Sequence, residues 1–122
     1  MRVAVVGASM NRGKFGNKAV RAYVSKGNDV FPVNPNEKEV EGLRCFASVL
    51  QIPDGLDLVL MYVPPAIGEK IVDDIIRKNP GAVYLNPGTE SDVIMSKLKA
   101  AGIKFYLACA IHALGITSED MH

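Results

Sequence analysis

Residues 1–35 read MRVAVVGASMNRGKFGNKAVRAYVSKGNDVFPVNP and contain two apolar runs separated by one amphipathic segment. The runs, residues 3–6 and 30–33, lack the alternation of buried and solvated side chains that a half-exposed strand shows. Between them, residues 15–23 repeat apolar side chains at helical spacing, and Gly27 follows in the position of a C-terminal cap. The stretch therefore predicts a strand, a helix and a second, parallel strand.

The same alternation continues through the rest of the chain. Further apolar runs occur at residues 58–63, 82–85 and 103–107, and helical patterns at residues 67–76 and 91–101. Pro65 suits the first turn of the second helix, and Gly102 suits the end of the third. Thr89 with Asp92 is a candidate capping box for that third helix. We therefore predict that residues 1–122 form one α/β domain with a three-layer, Rossmann-like fold, in which helices cover both faces of a mainly parallel, doubly wound sheet of five or six strands.

Residues 43–46 form a short extended piece in a region bracketed by Pro35, Gly42 and Pro53. We interpret this piece as an edge strand. With right-handed crossovers, the order across the sheet would be the edge strand, the second strand, the first strand and then the three later strands. The switch point of the topology, where open parallel sheets bind their ligands, then lies beside the first strand.

The composition restricts the classes of function. The chain has 14 Lys and Arg against 13 Asp and Glu, so its net charge of +1 supplies no long-range field for nucleic acid or an anionic membrane. No apolar stretch approaches the ~20 residues of a membrane span, and no export signal is visible. Cys45 and Cys109 are too few for a disulfide framework or a zinc site, and we interpret both as buried thiols. We therefore expect a cytoplasmic protein without a metal site.

Small residues follow the first strand, at Gly7, Ala8 and Ser9. They allow a ligand to approach bare backbone amides, while the helix that begins near Phe15 adds the positive end of its dipole. Arg12 and Lys14 supply cations for a phosphate. These residues predict an anion site, although the glycine spacing fits neither the G-x-G-x-x-G fingerprint nor the P-loop pattern. The alternative is a plain turn with solvated basic residues.

The loop after the second strand discriminates between nucleotide cofactors. Nicotinamide-binding domains usually carry Asp or Glu there to hold the ribose diol, whereas this chain has Asn34 and Pro35, with Lys38 close by. This set suits the extra ribose phosphate of coenzyme A or NADP better than it suits NAD. Glu37 keeps NAD open, because the loop could bring its carboxylate to the ribose. The alternative is that Asn34 and Pro35 only turn the chain and contact no ligand.

Two further loops at the same rim contain proline. Val63, Pro64 and Pro65 end the most apolar strand and offer an apolar wall for an adenine or a pantetheine. Pro87 and Gly88 follow Asn86 at the end of the next strand and could contact the far end of a long ligand. The alternative is that Pro64 and Pro65 only start the second helix.

Together the four loops, at residues 7–9, 33–36, 62–65 and 86–88, resemble those of the small CoA-binding domain proteins, whose fold is also that of the N-terminal domain of the succinyl-CoA synthetase α-subunit. The resemblance covers roughly residues 2–114. It implies coenzyme A or an acyl-CoA bound across the strand ends, with the phosphates near Ser9 and Lys14 and the adenosine near Asn34. The chain departs from the family pattern at Asn86, where relatives often have Gln, and at Ile111, where many have Glu.

The residues show no catalytic pair. Cys109 and His112 are the best candidates for chemistry at the rim, but neither has an identifiable partner, and His122 is the final residue. We interpret Cys109 and His112 as structural, and a mixed disulfide between Cys109 and a thiol ligand as a testable hypothesis. The favoured function is a non-catalytic or regulatory protein that binds coenzyme A. The alternatives are an NAD(P)-binding oxidoreductase module and a subunit of an acyl-CoA synthetase or transferase that works with a partner enzyme chain; a homodimer is also compatible.

Overall fold

The computed structural model describes residues 1–115, and in these residues strands and helices alternate as the sequence predicts. In chain order they are β1 (Arg2–Val6), α1 (Phe15–Ser25), β2 (Asp29–Val33), β3 (Glu39–Val40), β4 (Leu43–Arg44), β5 (Leu58–Met61), α2 (Pro65–Lys78), β6 (Ala82–Leu85), α3 (Asp92–Ala100) and β7 (Lys104–Leu107). Two 3-10 helices, at Val49–Gln51 and His112–Leu114, lie in the connections. His122 lies outside the described residues. None of the described helices has the length and apolar character needed to cross a membrane.

Five strands form one parallel sheet in the order β2-β1-β5-β6-β7. The chain moves outward from β1 to β2 and then returns to the other side of β1 with β5. Strand order therefore reverses between β1 and β5, which is the predicted switch point. This topology confirms the doubly wound α/β fold.

The sheet separates two hydrophobic cores because neighbouring residues of a strand face opposite sides. Val3 and Val5 of β1 pack with α1 on one face, whereas Ala4 and Val6 pack with α2 and α3 on the other. All four of these residues are buried. The unbroken apolar run in the sequence is thus explained by a strand with a helix layer on each side.

The predicted edge strand is only partly formed. Phe46 bridges β2 in parallel orientation at Val33, so this piece lies on the expected side of the sheet. Residues 43–44, however, pair with β3 as an antiparallel hairpin. Its two-residue turn, Glu41–Gly42, has positive φ at both positions, 51° and 77°, as a type I′ turn requires. The local hairpin uses the backbone groups of β4, and only Phe46 remains to join the sheet.

The predicted helix boundaries hold with one correction. Pro65 is the first residue of α2, and Gly27 and Gly102 follow α1 and α3 with φ of 82° and 72°. The proposed capping box of Thr89 and Asp92 is wrong: Ser91 caps α3, and its hydroxyl accepts a hydrogen bond from the Ile94 amide at 3.1 Å. The Thr89 hydroxyl instead donates to the Asn86 carbonyl at 2.8 Å, because Thr89 belongs to the preceding turn.

Tyr23 joins α1 to the segment that follows β7, since its hydroxyl donates to the Ala110 carbonyl at 2.8 Å. Burial raises the pKa of Tyr23 to about 12 from the ordinary value of 10.0. The folded protein therefore holds this proton more tightly than the unfolded chain does. That contribution to stability is complete below pH 10 and is lost as the pH rises from about 10 to 12.

We expect Tyr23→Phe to lower the free energy of unfolding at pH 7 by about 1–2 kcal/mol, because the buried Ala110 carbonyl loses its donor. The further loss of stability between pH 10 and pH 12 should be smaller in the variant than in the wild type. Urea unfolding at pH 7 and at alkaline pH measures both effects. Tyr106→Phe is the control, because Tyr106 is 47% exposed. An alkaline loss of the same size in Tyr23→Phe and wild type would contradict the assignment.

Candidate functional site

A cavity of about 450 Å³ lies at the carboxyl ends of β1, β2 and β5, beside the predicted switch point. The loops after these strands form one side of the cavity, and α2 and the 3-10 helix Val49–Gln51 form the other. Its lining is mainly apolar, with a few polar side chains. The lining residues are Val6, Gly7, Lys14, Val33, Asn34, Pro35, Asn36, Ala47, Ser48, Val49, Val63, Pro64, Ile67, Ile71 and Asp74.

Two glycines determine the shape of the loop after β1. Gly7 has φ of 93°, and a Cβ atom there would lie 2.8 Å from the carbonyl oxygen of Tyr62 at the end of β5. A Cβ atom on Gly16, in the first turn of α1, would lie closer than 3.0 Å to the carbonyl oxygen of Gly7. Only glycine at both positions allows β5, the loop and α1 to approach this closely. Two structural features of a dinucleotide-binding loop, the tight turn and the close packing of helix on strand, are thus present with a different glycine spacing.

The N-terminus of α1 points its backbone amides toward this loop. Its N-cap residue, Lys14, makes no side-chain capping bond, and the first turn contains no acidic residue. The Asn17 amide donates to the Lys14 carbonyl at 3.1 Å, so the Phe15 and Gly16 amides, together with the positive end of the helix dipole, are the groups available to an anion. Lys14 also lines the cavity and adds a full positive charge at this end.

A polar network around the buried Asn17 holds the segment between the loop and α1. Asn17, fully buried, donates through Nδ2 to the Ser9 carbonyl at 2.8 Å and to Glu41 at 3.1 Å. Arg21 donates to Asn17 Oδ1 at 2.8 Å and to the Arg12 carbonyl at 3.0 Å. The Arg12 guanidinium forms an ion pair of 3.5 Å with Glu41. The Arg12 side chain therefore pairs with Glu41, and Arg12 does not line the cavity.

The loop after β2 is tied to the loop after β1. Asn34 donates through Nδ2 to the Ala8 carbonyl at 2.8 Å and accepts through Oδ1 from the Asn36 amide at 2.9 Å. The Glu37 carboxylate accepts from the Met10 amide at 2.8 Å. The side chains of Asn34 and Glu37 are thus engaged in bracing the two loops.

The structure brings six of the predicted binding residues into the cavity lining: Gly7, Lys14, Asn34, Pro35, Val63 and Pro64. The others lie around it. Ala8, Ser9, Arg12, Phe15, Lys38, Pro65, Pro87 and Gly88 do not line the cavity. Ala8 is fully buried behind the loop, whereas Phe15 is half exposed. Pro87 and Gly88 follow β6, which is separated from β1 by β5.

Sequence reasoning missed the wall that faces the rim loops. Ala47, Ser48 and Val49 line it from one side, and Ile67, Ile71 and Asp74 from α2. Ile67 and Ile71 had the spacing of residues that cover the sheet, so the pattern predicted core positions. The sequence contained one signal of this wall: the apolar stripe of α2 begins at Ile67, close to the rim loop. In the structure Ile67 is 47% exposed, so it does not belong to the core.

Neither candidate for chemistry lines the cavity. The prediction that Cys45 is buried is confirmed, but the same prediction for Cys109 is wrong, because Cys109 is only half-buried. Cys109 follows β7, the strand at the edge of the sheet, and packs only partly against the hydrophobic core on the α1 face. His112 is exposed. No group of His, Cys, Asp or Glu suited to a metal ion occurs within residues 1–115.

A doubly wound sheet with a ligand cavity at its switch point and a glycine-shaped loop after β1 defines a Rossmann-like cofactor-binding domain. A family model described as a CoA binding domain matches residues 1–114. The chain therefore belongs to the CoA-binding domain family, which confirms the resemblance drawn from its four rim loops.

Similar proteins include larger enzymes and single domains. The ADP-forming acetate–CoA ligase I of Archaeoglobus fulgidus is 39% identical over 87 residues, which are 70% of this chain and 13% of the ligase. The alpha subunit of the ADP-forming acetate–CoA ligase II of Pyrococcus furiosus is 40% identical over 90 residues, 70% of this chain and 19% of that subunit. A conserved hypothetical protein of Pyrococcus furiosus has a TM-score of 0.86 at 35% identity, with 92% of this chain and 97% of that chain covered. The chain thus spans less than a fifth of the ligase chains that it matches.

Proposed function

We propose that this protein binds coenzyme A, or an acyl-CoA, in the cavity at the carboxyl ends of β1, β2 and β5. The observation that carries the proposal is the position of the cavity: it opens at the switch point of the sheet, against the Gly7 loop and the N-terminus of α1. This is where doubly wound domains bind nucleotide cofactors. Membership of the CoA-binding domain family selects coenzyme A among those cofactors.

The polarity of the cavity supports one orientation of the ligand. The phosphates would lie against the Gly7 loop and Lys14, where backbone amides and a cation converge. The adenosine would enter between Val33 and Val63, whose side chains give apolar contact. The pantetheine would leave across the strand ends toward Pro87 and Gly88, which follow β6 at the same rim.

An NAD-binding role has less support. The carboxylate that could hold a ribose diol belongs to Glu37, and it already accepts a hydrogen bond from the Met10 amide at 2.8 Å. Glu37 also does not line the cavity, so binding NAD in the usual manner would require its side chain to turn away from Met10 and into the cavity. A ribose that carries a phosphate makes no use of an acidic partner at this position.

We propose that the domain does not catalyse a reaction alone, because its half-buried thiol and exposed imidazole both lie outside the cavity lining. The second candidate is a role as one component of an acyl-CoA synthetase. The ligase relatives favour it, because one of them is named as an alpha subunit. The two free cysteines fit a reducing, cytoplasmic setting for either role.

Thermal unfolding with coenzyme A, dephospho-coenzyme A, NAD and NADP tests the proposal. A ligand at 100 times its dissociation constant adds about 2.7 kcal/mol of stability. For a domain of this size, that corresponds to a rise in Tm on the order of 10 °C. We expect this rise with coenzyme A and a smaller one with NAD. A rise with NAD and none with coenzyme A would overturn the proposal.

Lys14→Ala should weaken coenzyme A binding about tenfold, because a charge-assisted contact to phosphate is lost from the cavity. Lys38→Ala is the matched control and should change the affinity by less than about twofold, since Lys38 is exposed and does not line the cavity. Isothermal titration with coenzyme A and with dephospho-coenzyme A measures both variants. If only Lys38→Ala lost the preference for coenzyme A, the 3′-phosphate would lie outside this cavity.

A further inference from the structure

One face of α2 runs along the cavity, away from the rim. Ile67, Ile71 and Asp74 are spaced four and three residues apart, so they lie on the same side of the helix, and all three line the cavity. Pro64, at the N-cap of α2, lies at the rim. With a rise of about 1.5 Å per residue, Asp74 lies about 15 Å from Pro64 along the helix axis. The carboxylate, which is 37% exposed, therefore lies at the end of the cavity that is far from the rim.

The two ends of the cavity differ in charge. Lys14 and the N-terminus of α1 stand at the rim, and Asp74 is the one acidic residue among the described lining residues. Between these ends the walls are apolar, formed by residues such as Val49 and Ile71. The arrangement matches a ligand with an anion at one end, a flat apolar body, and a hydrogen-bond donor at the other end. An adenine nucleotide has this order of groups, because the exocyclic amino group is the donor of the base.

Among the described lining residues, Asp74 supplies the one charged acceptor for that hydrogen bond, and the neutral acceptors are partly engaged elsewhere. The Asn34 side chain is engaged with Ala8 and with the Asn36 amide, and the Ser48 hydroxyl accepts from the Leu50 amide at 3.2 Å. Asn36 lines the cavity from the loop after β2, at the rim, and offers a neutral acceptor, which is weaker than a carboxylate. The ion pair of Asp74 with Arg77 is 3.9 Å long and exposed, so it restrains the carboxylate weakly.

We propose that Asp74 accepts a hydrogen bond from the exocyclic amino group of the adenine and makes the site select adenine over 6-oxopurines. A 6-oxopurine presents a carbonyl oxygen at that position, and its lone pairs would face the carboxylate without a proton between them. The proposal rests on the proposed function, because it assumes that the adenosine of coenzyme A occupies this cavity.

The test compares coenzyme A with its deaminated analogue, in which hypoxanthine replaces adenine. Wild-type protein should bind coenzyme A at least about tenfold more tightly than the analogue. Asp74→Ala should weaken coenzyme A binding and bring the ratio of the two dissociation constants close to one. Asp74→Asn should bind the analogue more tightly than wild type does, because its amide can donate to the carbonyl. That gain cannot result from partial unfolding.

Asp73→Ala is the matched control. Asp73 precedes Asp74 on α2, but its carboxylate binds Lys97 at 3.0 Å and does not line the cavity, so the ratio should stay at its wild-type value. A wild-type ratio near one, or an unchanged ratio in Asp74→Ala, would overturn the assignment of Asp74 while leaving coenzyme A binding in place. Absence of coenzyme A binding by wild type would overturn the proposed function and this inference with it.

Discussion

Gly16→Ala is expected to lower the free energy of unfolding by about 3 kcal/mol or more, and Tm by about 10 °C or more. The added Cβ would lie closer than 3.0 Å to the Gly7 carbonyl oxygen, a contact between backbone and backbone that no side-chain rotation relieves. Either α1 moves away from the sheet or the loop after β1 changes shape. Both movements would change the proposed anion site, so coenzyme A binding should fall together with stability.

Urea and thermal unfolding measure the loss. Gly55→Ala is the control, because a Cβ atom on Gly55 meets nothing within 4 Å and this glycine has no positive φ. Its stability should stay within about 0.5 kcal/mol of wild type. If Gly16→Ala were as stable as Gly55→Ala, the close approach of α1 to the loop would be refuted.

Asn86→Ala should cost about 3 kcal/mol of stability, since it leaves two buried backbone groups without their partners. Asn86 is 3% exposed, and its side chain connects three segments at the end of the sheet. Its Nδ2 donates to the Met61 carbonyl at 2.9 Å, and its Oδ1 accepts from the Ala110 amide at 2.8 Å. Chemical denaturation gives the magnitude of the effect.

Asn86→Asp separates the two bonds. An aspartate still accepts from the Ala110 amide but places an oxygen against the Met61 carbonyl, so this variant should also be destabilised at neutral pH. Asn36→Ala is the comparison at an exposed position and should change the free energy of unfolding by less than about 0.5 kcal/mol. Wild-type stability in Asn86→Asp would mean that the bond to Met61 contributes nothing.

Apolar periodicity was sufficient to predict the sheet and its helices. The valine-rich strands have no polar face, and glycine and proline mark the helix ends, so strand order followed from the handedness of crossovers. The hairpin of β3 and β4 was missed because its turn, Glu41–Gly42, lacks the usual Asn or Asp before glycine. Local turn geometry, rather than hydrophobicity, determines whether those residues join the sheet.

The site was predictable where it depends on the backbone and less so where it depends on side-chain direction. Residues at strand ends, such as Gly7 and Pro64, were placed at the rim by topology alone. The position of a charged residue in the sequence predicted the direction of its side chain less well. Arg12 was predicted to meet a phosphate, but it forms an ion pair of 3.5 Å with Glu41 and does not line the cavity. Asp74 was not predicted to line the cavity, because an acidic residue on an amphipathic helix is most simply interpreted as solvated.

The bonds from Asn34 to Ala8 and from Glu37 to Met10 have a kinetic consequence. They hold the loops after β1 and β2 in one relative position before any ligand arrives, so little entropy is lost in ordering these two loops if coenzyme A binds as proposed. Association should then follow a single exponential whose rate rises linearly with ligand concentration, without the plateau that a slow closure step produces. Stopped-flow fluorescence with a labelled coenzyme A would reveal this one-step entry into a rigid receptor.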